Sequence, residues 1–354
     1  MVYAVSADSL RVSKLLHTGP PGYLGGIPDL RIGIVKAIII TPEEPGTTSG
    51  NSITADRWAK ILQTLGHAAS IATEWTEEDC DVLIALHARR SHASVERFRQ
   101  AYPNRPLVLA LTGTDLYRDL RVNSEGRHSL SLASHVVVLQ GAAPEELEDV
   151  VRSKTCVIYQ SAAPPVRRAE PKEDCFEVCV LSHLREVKDP LRAAFASRTL
   201  PDESRVCITH AGRALAPEWE QAAKAEERAN PRYRWIGEQP HASALQLLAR
   251  CRLLVLSSLM EGGANAIGEA VVCGVPVLCS DIRGNAGMLD ADYQGYFRVR
   301  DTGQLAQMLR RAETDPDFLA RLREHIHKLQ VRFAPEQEVA SWHRLIQGLF
   351  FPEV

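Results

Sequence analysis

The sequence predicts an α/β protein made of two doubly wound, parallel-sheet domains that face a central cleft. Three observations carry that reading. The chain has 354 residues, enough for two domains at roughly 100–200 residues each. From Arg31 onward, short apolar runs alternate with helical segments, the pattern of consecutive β-α-β units. The alternation breaks once, at Ala162-Ala163-Pro164-Pro165-Val166-Arg167-Arg168, and then restarts.

The elements follow in order. Residues 1–30 are rich in turn formers, as in Gly19-Pro20-Pro21-Gly22, and read as a flexible extension. The first domain is expected over 31–163. Its strands are Ile32–Ile40, Ala68–Ala72, Val82–Leu86, Leu107–Leu111, His135–Leu139 and Cys156–Tyr159, apolar and β-branched as strands buried on both faces are. A helix over Ser52–Leu65 closes at Gly66, and another over Ser91–Ala101 has Ser91 as its N-cap. Residues 164–174 form the linker. The second domain, 175–334, carries strands at Phe176–Leu181, Arg205–Thr209, Tyr233–Ile236, Leu253–Leu256 and Pro276–Cys279, with helices including Ala242–Arg250 and Ala264–Cys273. The segment 335–354 is helical, with Trp342, Leu345, Ile346 and Leu349 on one face, and is placed to pack back across the cleft.

Composition removes several classes of function. Basic residues number 41 and acidic ones 44, a formal charge of −3. The chain therefore has no global field for nucleic acid or anionic membrane, and an anion site must be a local basic cluster. No apolar run approaches the ~18 residues of a membrane span, and the N-terminus does not read as a secretory signal. The eight cysteines form no CxxC pair and lie mostly in apolar runs, so reduced structural thiols in a cytoplasmic protein are expected. No metal ligation or cofactor is expected, because HExxH and a strand-terminal DxD are absent. The glycines do not fit GxGxxG after a first strand, which leaves dinucleotide binding weak.

The most informative stretch runs from Ser257 through Glu261, Gly262, Gly263, Ala264 and Asn265 to Glu269. A strand ends at Leu256 and a small-residue turn opens a helix. Backbone amides at such a helix start form an anion site, and glycines allow close approach. Glu269 lies eight residues after Glu261, just over two turns, so both carboxylates can face one cleft at different depths. Two solvated glutamates are the plainer alternative.

This frame resembles the E-x7-E signature of the GT-B glycosyltransferases of the glycogen-synthase-like, GT4-like superfamily, whose two domains are Rossmann-like. The resemblance implies that Glu261 contacts the donor sugar and is catalytic, and that Glu269 binds the ribose. It assigns the diphosphate of a nucleotide-sugar to Arg185, Lys188 and the turn Gly262, Gly263, Ala264 and Asn265. Two cations at a strand end can neutralise a leaving diphosphate without a metal. A surface cluster with Glu186 and Asp189 is the competing reading.

Three blocks in the first half sharpen the likeness. They are Thr41–Asn51 with Arg57 and Trp58, Leu86–Ser91, and Leu111–Asp119. Together they resemble the selenosugar synthases of selenoneine biosynthesis, which join selenophosphate to the anomeric carbon of UDP-N-acetylglucosamine or UDP-glucose. The resemblance covers about residues 31–350. It implies that selenophosphate binds among Ser49, Gly50, Asn51, Arg89, Arg90, Thr112, Gly113 and Arg118, with His87 and Asp115 as further catalytic candidates. The chemistry of such an acceptor fits the residues, since an anion needs a local basic field that a net −3 does not supply. Many relatives in the superfamily place a His where this chain has Thr112. An alcohol needs a general base there, whereas selenophosphate is already anionic.

Simpler roles compete at each position. His87 can be a core histidine held by backbone, Arg89 and Arg90 can be solvated, and Asp115 can be an N-cap. His183 and His210 end strands, and Trp58 and Trp75 read as packing residues. Two other functions stay open: a conventional GT-B transferase acting on an alcohol, and a UDP-sugar epimerase on the same fold. No oligomeric state is implied.

Overall fold

The computed structural model describes residues 33–351, apart from 45, 47 and 48. The expected extension at 1–30 therefore lies outside the described residues. The first sheet contains β1 (Lys36–Ile40), β2 (Ala68–Ala72), β3 (Val82–Leu86), β4 (Leu107–Leu111), β5 (His135–Val138) and β6 (Thr155–Val157), in the order β2-β1-β3-β4-β5-β6. The second contains β7 (Phe176–Leu181), β8 (Val206–Ala211), β9 (Tyr233–Trp235), β10 (Leu253–Leu256), β11 (Val277–Ser280) and β12 (Tyr296–Phe297), in the order β12-β11-β10-β7-β8-β9. Every strand pairing is parallel.

The residues explain the sheets. All five residues of β3 and all five of β4 are buried, because helices cover both faces and leave no side for polar alternation. One apolar cluster lies on each face of the first sheet, and a third fills the second domain. The helix Pro335–Phe350 packs on the first domain. Its Trp342 meets Trp58 edge-on at 4.7 Å, and its buried Glu338 accepts from Trp58 Nε1 at 3.0 Å and from the Ser161 amide at 2.7 Å.

Three local expectations need correction. The first strand begins at Lys36, with 33–35 outside it, since its neighbour β2 offers no partner before Ala68; Ile32 lies outside the described residues. The two-residue strand β12 is too short to read from sequence. Cys175 and Cys207 are joined in a disulfide, with Cα atoms 6.2 Å apart. The parallel register that pairs Phe176 with Val206 brings them together. The other six cysteines are free thiols.

The strand orders locate the ligand edges. The first sheet reverses direction between β1 and β3, and the second between β7 and β10. In open α/β sheets, ligands gather beyond the carboxyl ends of the strands at such reversals. No helix among the described residues is long and apolar enough to cross a membrane.

Candidate active site

The C-terminal wall is built from the loops after β7 and β10, the two strands that flank the reversal. The loop after β7 ends in a left-handed residue, Asp189 (φ 44°), whose carboxylate grips Arg192 at 2.8 and 3.1 Å. The loop after β10 is fastened to it by Leu259 N to Val187 O, 2.8 Å, and Ser257 Oγ to Asp189 O, 2.8 Å. These bonds bring Lys188 against Glu261. Lys188 Nζ and Ser258 Oγ both donate to Glu261 Oε1 at 2.5 Å. Glu261 is only 8% exposed, so that carboxylate is desolvated and held in place by charge-assisted bonds. Arg185 is exposed and pairs with no described residue.

The helix Asn265–Cys273 starts without a side-chain cap and ends at Gly274 in the left-handed conformation, φ 66°. Its first amides are left for a ligand. Glu269 lies one turn after Asn265 on the same face and is mostly buried. His241 Nε2 sits 2.8 Å from Glu269 Oε1. The hydrogen bond to Glu269 lifts the His241 pKa above its ordinary value, outweighing partial burial.

On the N-terminal wall the sequence candidates separate into two groups. Asp115 is fully buried, and its carboxylate accepts from the amides of Ala88 (3.1 Å), Thr112 (3.0 Å), Gly113 (2.8 Å) and Leu116 (3.0 Å). Those bonds shape two loops, so Asp115 is a positioning residue here rather than a free acid or base. His87 ends β3 in a left-handed conformation (φ 73°) and is 3% exposed. Its Nε2 faces Thr114 Oγ1 at 3.1 Å and Asp119 at 3.8 Å.

Asp119, which the sequence reading did not single out, organises the basic cluster. Arg89 Nε donates to Asp119 Oδ2 at 2.7 Å, and Arg118 Nε donates to Oδ1 at 2.9 Å. Burial would raise the pKa of this carboxyl, but the two arginine hydrogen bonds outweigh it and hold the group below its usual value. Both arginines are bonded through Nε, which leaves their terminal Nη groups for another partner. Arg90 turns away to Glu43 and to Pro42 O. Ser49 caps the helix Gly50–Thr64 by accepting from Ser52 N at 3.2 Å. Nearby, Thr41 Oγ1, Glu43 Oε2 and Ser52 Oγ are buried without a hydrogen-bond partner.

The two walls touch at glycines. A Cβ at Gly262 would lie 2.3 Å from Thr112 O, and one at Gly113 (φ 136°) would lie 2.8 Å from Gly262 N. A Cβ at Gly263 would meet Leu139 Cβ at 2.5 Å. The sequence reading gave the space beside Gly262 and Gly263 to phosphate; in the structure the opposite domain fills it. Gly141 N to Gly287 O (3.1 Å), Arg57 Nη1 to Asn265 Oδ1 (3.3 Å) and the Arg283–Glu145 pair (2.7 Å) also join the domains.

Other candidates have local roles. His210 is buried between Tyr233 Oη (2.9 Å) and Ser182 O (3.0 Å), and burial lowers its pKa to about 4. His183 Nδ1 accepts from the Arg213 amide at 3.1 Å. A surface hollow of about 390 Å³ beside Asp81, Tyr102 and Arg105 lies at strand N-termini, away from the carboxyl edges.

The geometry can be set beside known proteins. The family model of Glycosyl transferases group 1 matches residues 163–329. The second domain is similar to the glycosyl transferases group 1 family over that span. Every residue of its wall discussed above, from Arg185 to Glu269, lies within the matched span. Glycosyltransferase 1 domain-containing protein 1 of Xenopus tropicalis is 29% identical over 140 residues, 39% of this chain. The match spans 40% of that relative's length. The architecture is that of GT-B glycosyltransferases. Anabaena HepE, solved with UDP, superposes with a TM-score of 0.72 at 16% identity, over 89% of this chain and all of that one. Sucrose-phosphate synthase from Thermosynechococcus elongatus gives 0.72 at 14% identity, over 91% of this chain and all of that one.

The sequence missed Asp119, His241, Ser258 and Glu43. Asp119 adjoins Arg118 in the quoted block, and that adjacency was its one signal. His241 and Glu269 belong to different helices, and nothing local links them.

Proposed function

We propose that the protein is a glycosyltransferase that holds a UDP-sugar on its C-terminal domain and transfers the sugar to selenophosphate on its N-terminal domain. The observation that carries the reading is the meeting of Lys188 with Glu261 at the strand reversal of a group 1 domain. There, Lys188, Arg185 and the free amides of the helix at Asn265 present positive charge to a diphosphate. Glu269 offers its carboxylate to the ribose hydroxyls and Glu261 to the sugar hydroxyls. The fold is shared with Anabaena HepE, which was also crystallised with UDP-glucose, and this supports a nucleotide-sugar donor.

The acceptor reading rests on the other wall. Asp119 fixes Arg89 and Arg118 by Nε, so their Nη groups form a pre-oriented clamp for a phosphate-like anion. The unpartnered hydroxyls of Thr41 and Ser52 suit the same ligand, since buried polar groups ordinarily find partners. Selenium attacks the anomeric carbon as the carbon–oxygen bond to UDP breaks. Water then cleaves the phosphorus–selenium bond and releases phosphate and the selenosugar. Contact between the walls excludes bulk water from the sugar cation. The transfer needs no metal in this scheme, and a cytoplasmic setting belongs to the same proposal.

Mass spectrometry of reactions containing selenophosphate and a panel of UDP-sugars tests the reading. The expected products are UDP, phosphate and a selenium-bearing sugar. Turnover only with alcohol acceptors would leave a conventional transferase. An interconverted UDP-sugar without any acceptor would make the protein an epimerase.

A further inference from the structure

Outside the cleft, three side chains converge where the helix His92–Ala101 packs against the helix Ser124–Leu132. His92 and Glu96 are one turn apart and share a face. His128 reaches over from the second helix. Their ligand atoms all lie within 4.8 Å of one another, and the two imidazole rings are 5.4 Å apart, tilted by 57°. Glu96 pairs with no cation among the described residues.

A neighbouring hydroxyl favours one tautomer of His92. Ser129 Oγ donates to Glu125 O at 3.1 Å, so toward His92 Nδ1, 2.9 Å away, it presents a lone pair. The Nδ1–H tautomer satisfies that contact and leaves the Nε2 lone pair free. Metal-bound histidines are held in this way, with the second ring N–H bonded to an oxygen.

We propose that His92, Glu96 and His128 bind one divalent transition-metal ion of the zinc class, which staples the two helices together. Two imidazoles and a carboxylate form a recognised three-ligand zinc set with one position open to water. Bonds of about 2.0–2.2 Å place neighbouring ligand atoms about 3.4 Å apart in a tetrahedron. The side chains need to close by about 1.4 Å at most. His128 is exposed and Glu96 half-buried, so rotamer changes suffice. The staple bears on the cleft as well. A Cβ at Gly126, in the first turn of the second helix, would lie 3.8 Å from Arg89 Cβ. A bound ion therefore stiffens the support behind Arg89.

The test uses the tag-free full-length chain, stripped of metal by chelator and titrated with Co²⁺ and Zn²⁺. It needs no substrate, so its outcome is separate from that of the proposed transfer. One equivalent of Co²⁺ should bind with visible absorption of tetrahedral type. Saturating Zn²⁺, at about a hundred times Kd, should raise Tm by about 3–5 °C. Ser129→Ala should weaken affinity about 10–100-fold by releasing His92. His128→Ala, at an exposed position, should keep the metal-free Tm and lose stoichiometric binding. Absence of binding in the parent chain, or unchanged affinity in His128→Ala, would overturn the proposal.

Discussion

On the C-terminal wall a lysine and a glutamate meet directly, 2.5 Å apart, at the end of two neighbouring strands. On the N-terminal wall two arginines meet only through a third residue, the buried Asp119. The difference lies in what each wall leaves for a ligand. Lys188 and Glu261 satisfy each other, so a donor must compete for both. Arg89 and Arg118 are neutralised in part but, bonded through Nε, keep their partly exposed Nη groups for another partner. A wall whose charges pair with one another is poised for exchange, and a wall whose charges are pinned from behind is preorganised.

Substitutions can break or sharpen that contrast. Lys188→Ala should have the largest effect, lowering kcat by about 10²–10³ through loss of a cation at the leaving diphosphate. Steady-state kinetics at saturating UDP-sugar would check it; a change confined to KM would assign Lys188 to ground-state binding alone. Gly262→Ala should cost about 10² in kcat/KM, since its Cβ would collide with Thr112 O and push the walls apart by an ångström or so. The substitution lies at the junction, so UDP affinity measured by calorimetry should stay near that of the parent chain.

Asp119→Ala addresses the other wall. Released arginines should raise the acceptor KM about tenfold, the equivalent of one charge-assisted hydrogen bond, and leave UDP affinity unchanged. Equal losses for both ligands would dissolve the division into two half-sites. The folded pKa of Asp119 is depressed, so its contribution to stability is present above the ordinary carboxyl value. It is lost only as the pH falls through the lowered one.

The smallest effect concerns His241. Its folded pKa is raised, so its pair with Glu269 is complete below the ordinary histidine value and fades as the pH climbs through the raised one. The side chain is 72% exposed, so the pair is screened. UDP affinity should therefore improve with rising pH by at most about fivefold, as Glu269 is freed for the ribose. His241→Ala should flatten that profile in calorimetric titrations at two pH values.

Much of the fold was legible because buried parallel strands are apolar throughout. Val82–Leu86 and Leu107–Leu111 match the expected strands residue for residue. The edges were harder. Tyr296–Phe297 has too few residues to show a period, and Ile34, apolar in sequence, is 77% exposed because no strand reaches it. In the site, Glu261, Glu269 and Lys188 were readable from a local frame of strand, small-residue turn and helix. Asp115 was readable as a residue but not in its role, because four amides from two loops converge on it only after the chain has folded.

By itself the sequence determined the α/β class, the succession of two sets of parallel strands and the residues at the carboxyl ends of β7 and β10, since strand length, turn chemistry and spacing are local properties. The tertiary structure alone decided which charges meet. It gave Asp119 two arginines, set His241 on Glu269 and laid Thr112 against Gly262. Each of these contacts joins segments far apart in the chain or depends on burial. Their energies come from desolvation and close approach, and neither exists before the two sheets have packed and the walls have come together.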